Sequence, residues 1–392
     1  MSSMGHRIRR ATLFFGGLLA ATLVFELYLR VVEATPLWHI LPAAEASFYG
    51  PDPDTGYAIR PGVEGLWLTE NHARVRMSSQ GLRDHDTSYA KPSATFRIAL
   101  AGDSITEALQ VDLDKTFAVL LEQRLGMPDR PVEVVNLGIS GAVPTVQLAR
   151  MESLGRRFHP DLMVYIVNFF DFASPIVEEG QGFPGYAAGR DGVYRLSCRF
   201  REGPQYRFRI SLSGQAYYWM LDHFRVARVL NSRRNQGLGF SPVAAPAAPS
   251  SPSCNPERGP ALLSALKGAP EGAKMRGIFF AYLRDVAATA KTEGVPAVLA
   301  LRGLSPGCPA ETAKSEELKR LIGAALAERG IGMLDMDSEI HTALVRDAKG
   351  KSKRDLYGFG ARLGDGHLND FGHRIFASAL ETGLKPWVQP HH

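Results

Sequence analysis

Apolar residues along this chain occur in one long run near the start and several short ones later. Ala11–Phe25 is fifteen residues without a charge, and the apolar character resumes in Leu27, Tyr28, Leu29, Val31 and Val32. As a helix, the nineteen residues from Ala11 to Leu29 reach about 29 Å, close to the hydrocarbon thickness of a bilayer. The short runs alternate with helix-period stretches. Phe96–Ala101, with Arg97 its one charge, "DLMVYIVNFFD", Val295–Leu301 and Gly332–Met336 read as strands, and "VEVVNLGISG" as a strand running into a loop. Thr116–Leu125, Thr145–Leu154, Glu316–Arg329 and Asp370–Thr382 read as helices between and after them. That alternation predicts an α/β fold of parallel strands covered by helices on both faces.

The pattern divides the chain into a membrane anchor over 1–34, an irregular lead-in over 35–92 that packs on the main domain, and a main domain over 93–388. An insertion at about 176–275 interrupts it. No later segment reaches eighteen continuous apolar residues. Arg7, Arg9 and Arg10 before the apolar run place the N-terminus in the cytoplasm by the positive-inside rule, so the main domain is expected in the periplasm or outside the cell. A cleaved signal peptide is the competing reading. Against it, Glu26 and Arg30 separate the apolar run from the small-residue site Val32-Glu33-Ala34, and at i,i+4 they can pair on one helix. Within the insertion, residues 241–260 are too rich in Pro, Ala and Ser to form a core element. Gln215–Arg234 reads as one helix over the sheet, its aromatics either packed or lining a cleft.

Composition changes little in this picture. The chain is 45% hydrophobic and 22% charged, with a formal net charge of +5. The basic residues form no run or aromatic-interleaved stripe, so nucleic-acid binding is not supported. Cys198, Cys254 and Cys308 lie far apart with no C-x-x-C pair, which argues against a metal or redox motif. In an oxidising compartment Cys254 and Cys308 are the pair expected to join; three independent thiols are the alternative.

Candidate chemistry begins where the strand Phe96–Ala101 meets Gly102-Asp103-Ser104. A serine after a buried strand, at the mouth of a helix, stands at the sheet edge where ligands of open α/β folds bind. Helix capping alone would explain it, so a catalytic role needs a base and a group to orient that base. "LGDGHLNDFGHRIFASAL", 363–380, offers both: His367 as base and Asp365 as the carboxylate that orients it, released by Gly364 and Gly366. His373, inside the expected helix, reads as structural.

These blocks resemble the SGNH hydrolases, the GDSL-like esterases and lipases. "GDSITE" matches the nucleophile block with Ser104, "NLGISG" the block whose Gly141 supplies an oxyanion N–H, and "DGHLNDFGH" the block of the catalytic Asp and His. "RMSSQGLRD" resembles the lead-in of membrane-anchored members. The chain departs from the family in its third block, where Phe170 stands at the Asn of Gly-x-Asn-Asp and Asn168 is the nearest amide, and in the Asp-x-His spacing. The resemblance implies a flavodoxin-like three-layer sandwich and a Ser104–His367–Asp365 acyl-enzyme mechanism. Its oxyanion hole would comprise Ser104, Gly141 and Asn168, and neither metal nor cofactor is implied. It further implies an O-acyl esterase or O-acetyltransferase acting on a cell-surface polysaccharide or glycolipid, beside a membrane-bound O-acyltransferase. A non-catalytic assembly partner of such an acyltransferase, or a lipase or thioesterase, is the alternative.

Overall fold

The computed structural model describes residues 3–127, 129–237, 263–304 and 312–388. Five parallel strands form its centre: β5 (Phe96–Ala101), β6 (Val132–Asn136), β7 (Leu162–Asn168), β10 (Ala297–Arg302) and β11 (Ile331–Asp335). They lie in the order β6-β5-β7-β10-β11, the doubly wound 2-1-3-4-5 arrangement of flavodoxin-like sheets. The α/β expectation is met: β5 matches its run end to end, β10 and β11 start and end within two residues of theirs, and β6 and β7 lie inside theirs, which continue past the strand ends.

Alternation along the strands sorts the core into two layers, because successive side chains point to opposite faces. Ile98, Leu100, Val134, Val164 and Ile166 face one cluster. It is covered by α3 (Phe117–Leu125), α10 (Met336–Asp347) and α11 (Asp370–Val388). Ala99, Ala101, Tyr165, Val167 and Leu299 face the other. There the cover is α4 (Pro144–Ser153), α8 (Ala273–Glu293) and α9 (Thr312–Ala327). Arg97 is fully buried in β5 because its charge is met: Nε donates to Glu133 at 2.7 Å and Nη1 to the Phe158 carbonyl at 2.6 Å. Two-sided helical cover explains why the strands read as near-continuous apolar runs.

Residues 35–92 form two small antiparallel pairs, β1 (Tyr49–Gly50) with β2 (Ala58–Ile59) and β3 (Glu64–Trp67) with β4 (Ala73–Arg76). Phe48, Ile59, Val75 and Met77 pack there against Leu109, Ile139, Val143 and Val146, which belong to the loops after β5 and β6 and to α4. A further pair, β8 (Gly185–Ala188) with β9 (Tyr194–Ser197), lies beyond β7.

At the N-terminus, α1 (Ser3–Ala34) includes one stretch, His6–Ala34, long and apolar enough to cross a membrane. Its described residues are exposed as far as Phe25; at Glu26 it docks on the protein, and Arg30 pairs with Glu26 at 2.8 Å.

The single helix expected over the sheet at Gln215–Arg234 needs correction. After α5 (Pro204–Ile210), the segment forms α6 (Leu212–His223) and α7 (Arg225–Gly237), broken at Phe224, whose φ of −122° and ψ of 116° are extended. Together they pack against α1 and the lead-in instead of the sheet, through Glu26, Arg30, Glu33 and Arg60. The 241–260 loop and the Cys254–Cys308 pair lie outside the described residues. Cys198 is half-buried and not in a disulfide.

Candidate active site

Ser104 is the first residue of α2 (Ser104–Glu107), directly after the turn that ends β5. Gly102 is required there: a Cβ would fall 1.9 Å from the Thr106 hydroxyl. Gly138 is required opposite, since its Cβ would meet the Glu107 backbone nitrogen at 2.5 Å. These two glycines let α2 press against the loop after β6. Asp103 caps the turn, accepting from the Ile105 N–H at 2.9 Å, and Arg302 at the end of β10 reaches its other oxygen at 3.2 Å. Burial works against the Arg302 charge, but Asp103 together with Tyr357, Asp337 and Asp171 outweighs it and raises the guanidinium pKa. At four residues, α2 contributes only a single turn of aligned peptide dipoles, less than the helix mouth expected at Ser104.

The imidazole of His367 stands at Ser104, with Nε2 and Oγ 2.7 Å apart. The carboxylate on the far side of the ring is Glu70, not Asp365: His367 Nδ1 lies 2.9 Å from Glu70 Oε2, and the same oxygen accepts the His367 backbone N–H at 3.0 Å. With Glu70 ionised, Nδ1 carries the proton, which leaves Nε2 free to accept from the serine hydroxyl. Burial raises the Glu70 pKa, but the hydrogen bond and charge of His367 more than offset this and hold it below the usual carboxylate range.

The Ser…Asp…His expectation is therefore corrected at its acid. Among the described residues Asp365 makes no hydrogen bond to His367, and its Oδ1 is buried without a partner. Both flanking glycines have positive φ, 95° at Gly364 and 87° at Gly366. That backbone path gives the ring face to Glu70 instead. A Cβ on Gly366 would lie 2.6 Å from Glu70 Oε2, so glycine at 366 makes room for a carboxylate nearly three hundred positions upstream.

Glu70 reaches this place from the β3–β4 loop, which is held at both ends. Glu45 accepts from Leu68 N–H and Thr69 Oγ1 at 2.9 and 3.0 Å, and Asn71 Nδ2 donates to the Gln110 carbonyl at 2.7 Å. Glu70 itself has φ 67°, a left-handed conformation uncommon for a non-glycine residue. In sequence it is a polar residue in an ordinary turn, with no spacing relation to His367. Gly366 is the trace it leaves, legible only once the close approach is known.

Gly141 follows the β6 strand with φ 77°. The residue before it is tightly fixed: Ser140 donates its N–H to Glu107 Oε2 at 2.6 Å and its hydroxyl to the same oxygen, while Tyr57 donates to the Ser140 carbonyl at 2.9 Å. Tyr49 adds a donor to Glu107 at 2.8 Å. Glu107 is fully buried, and burial raises its pKa despite these donors. Asn168 ends β7 opposite Arg302 and accepts from the Phe170 N–H at 3.2 Å through Oδ1, so its Nδ2 is the end available to donate elsewhere. Phe170 lies against Gly303, where a Cβ would meet its ring at 2.9 Å.

His373 is buried in α11, where its Nδ1 accepts the Phe117 N–H at 3.2 Å. Burial and the charges of His367 and Arg83 push its pKa down to about 3, as suits a neutral structural acceptor.

No protein-family profile and no curated protein matches the chain. Solved structures resemble it at a distance. "Crystal Structure of TesA" is 16% identical, covering 74% of this chain and 99% of that one, with a TM-score of 0.36. An acetyl xylan esterase, AlAXEase, is 15% identical over 73% and 98% of the two chains at 0.36. The lipase/acylhydrolase from Enterococcus faecalis is 11% identical over 76% and 99% at 0.35. Likenesses this remote say nothing of substrate or reaction. The chain's own topology is more telling: on a flavodoxin-like sheet the GDSITE serine follows the first strand, NLGISG follows its neighbour and DGHLNDFGH precedes the last helix, the placement that the resemblance of these blocks to the SGNH, GDSL-like hydrolases leads one to expect.

Proposed function

We propose that the protein is an SGNH-type serine esterase or acyltransferase working through Ser104, His367 and Glu70. The observation that carries this reading is the imidazole held between the serine hydroxyl at 2.7 Å and a carboxylate at 2.9 Å. Serine needs a base in hydrogen-bond reach, and the base needs an orienting partner. His367 Nε2 takes the Ser104 proton as Oγ attacks the ester carbonyl. The oxyanion is received by the backbone N–H groups of Ser104 and Gly141 and the Asn168 amide. His367 then gives its proton to the departing alkoxide oxygen, leaving an acyl-serine. Water or a sugar hydroxyl, deprotonated by the same imidazole, releases the acyl group and restores Ser104. Glu70 holds the ring tautomer and stabilises the imidazolium.

The substrate in this reading is an O-acyl ester on an extracytoplasmic polysaccharide or glycolipid. It is supported by the span at His6–Ala34, with Arg7, Arg9 and Arg10 at its head, and by the resemblance of the sequence blocks to anchored SGNH proteins. A membrane-bound O-acyltransferase is the partner that would supply acyl groups.

The test is acetate release from a small activated acetyl ester by the detergent-solubilised full chain. Ser104→Ala should lower kcat/KM by roughly 10⁴-fold or more. Equal rates for the wild type and Ser104→Ala would overturn the assignment of Ser104 as nucleophile.

A further inference from the structure

Part of the surface next to the emergence of α1 carries an apolar stripe that no other described residue covers. On α6, Leu212, Ala216, Trp219 and Met220 recur at helical spacing on the outward side, while Gly214 and Leu221 are buried behind them. Leu212 is 84% exposed and Trp219 54%, values that an ordinary surface helix does not need for its own packing. Phe224, also exposed, packs edge-on against Trp219 with ring centroids 5.8 Å apart and extends the stripe into the break before α7.

This stripe adjoins the point where α1 meets the protein. The first docked residue of α1, Glu26, accepts the Val226 N–H at 2.9 Å, two residues beyond Phe224. One turn later Arg30 donates to the His223 carbonyl, and Glu33 pairs with Arg225 at 2.7 Å. The α6–α7 corner is thus fastened to α1 at the level where its exposed apolar length begins. Arg207 on α5 and Arg233 and Arg234 on α7 are exposed, and the charge of Arg234 acts on Tyr217 of α6.

We propose that α6 and the corner after it are a membrane-seating surface, with Leu212, Trp219, Met220 and Phe224 lying in the headgroup–acyl boundary of the leaflet that α1 enters. Tryptophan and phenylalanine beside arginine are the chemistry of that boundary: amphipathic rings at headgroup depth and guanidinium groups toward anionic lipid phosphates. The proposal rests on the reading that α1 spans the bilayer. Two fastenings, one through the membrane and one upon it, would fix the height and tilt of the catalytic domain.

The full chain, reconstituted into vesicles of brominated phosphatidylcholine with phosphatidylglycerol, provides the test through tryptophan emission. Bromine quenches only rings at acyl depth. The chain has four tryptophans, so seating should quench roughly a quarter of the emission, and Trp219→Phe should abolish that component while leaving ester hydrolysis and far-UV dichroism unchanged. Identical quenching in the wild type and Trp219→Phe, with the chain floating with the vesicles, overturns the seating surface and spares the anchor. A Trp219 signal shielded only at high protein-to-lipid ratio would assign the stripe to a second copy and equally overturn it. Failure of the chain to float overturns both.

Discussion

The five-stranded sheet and the small paired strands of residues 35–92 differ in what they give the site. In the proposed mechanism the sheet supplies the nucleophile, the oxyanion donors and, through the loop before α11, the base. The lead-in supplies the carboxylate that meets His367, Glu70, and a brace on the Ser140 loop made of Tyr49 and Tyr57. The sheet is rigid because apolar layers cover both of its faces. The lead-in is rigid mainly through hydrogen bonds to its loops and one apolar cluster shared with the sheet domain. A site assembled from both should lose chemistry when the lead-in is altered and lose stability when the sheet side is altered.

The largest expected effect tests that division at Glu70. Glu70→Gln should keep the melting temperature close to wild type yet lower kcat by roughly 10³–10⁴-fold, since the amide permits the wrong tautomer and cannot stabilise imidazolium. A fall in kcat of under about tenfold would return the orienting role to Asp365 or to water.

His373 probes the sheet side. Its pKa is pushed from the ordinary 6.5 down to about 3, so the folded state binds the proton less readily than the unfolded chain. The stabilisation is complete above pH 6.5 and lost as pH falls toward 3, an effect on the order of 5 kcal/mol. Urea unfolding of His373→Asn should show a flatter acid limb across that window, with kcat at neutral pH within a few-fold of wild type.

Glu107 joins the two regions. Glu107→Ala leaves the Ser140 N–H and the Tyr49 hydroxyl buried without an acceptor, which should cost about 2–4 kcal/mol in thermal or urea unfolding. It should also lower kcat more than it raises KM, because the loop bearing Gly141 loses its tether. The smallest effect belongs to Asp365→Asn, expected to change kcat/KM by less than about fivefold in the same ester assay; a loss comparable with that of Glu70→Gln would break the comparison altogether.

Much of the sheet could be read from the sequence because its signals are local. Phe96–Ala101 is apolar throughout save Arg97, and its end at Gly102 follows from a clash that any side chain there would create. The pairing of Ser104 with His367 was legible from residue types and their glycine-rich settings. Glu70 was not, because it lies in a hairpin turn where polar residues are unremarked, and its partnership depends on how residues 35–92 dock. Asp365 attracted the role by proximity along the chain, which the positive φ angles at Gly364 and Gly366 redirect. The α6–α7 break was hidden for a related reason: Phe224 carries no Gly or Pro signal, and its extended backbone is set by docking to α1.

The placement of Glu70 bears on biosynthesis. A chain emerging in order of its sequence exposes the acid first, the nucleophile next and the base only after the other strands of the sheet. Until His367 emerges, Ser104 is an ordinary alcohol, so under the proposed mechanism a nascent or prematurely terminated product would lack the means to cleave esters. On that mechanism, activity would arrive together with the completed fold.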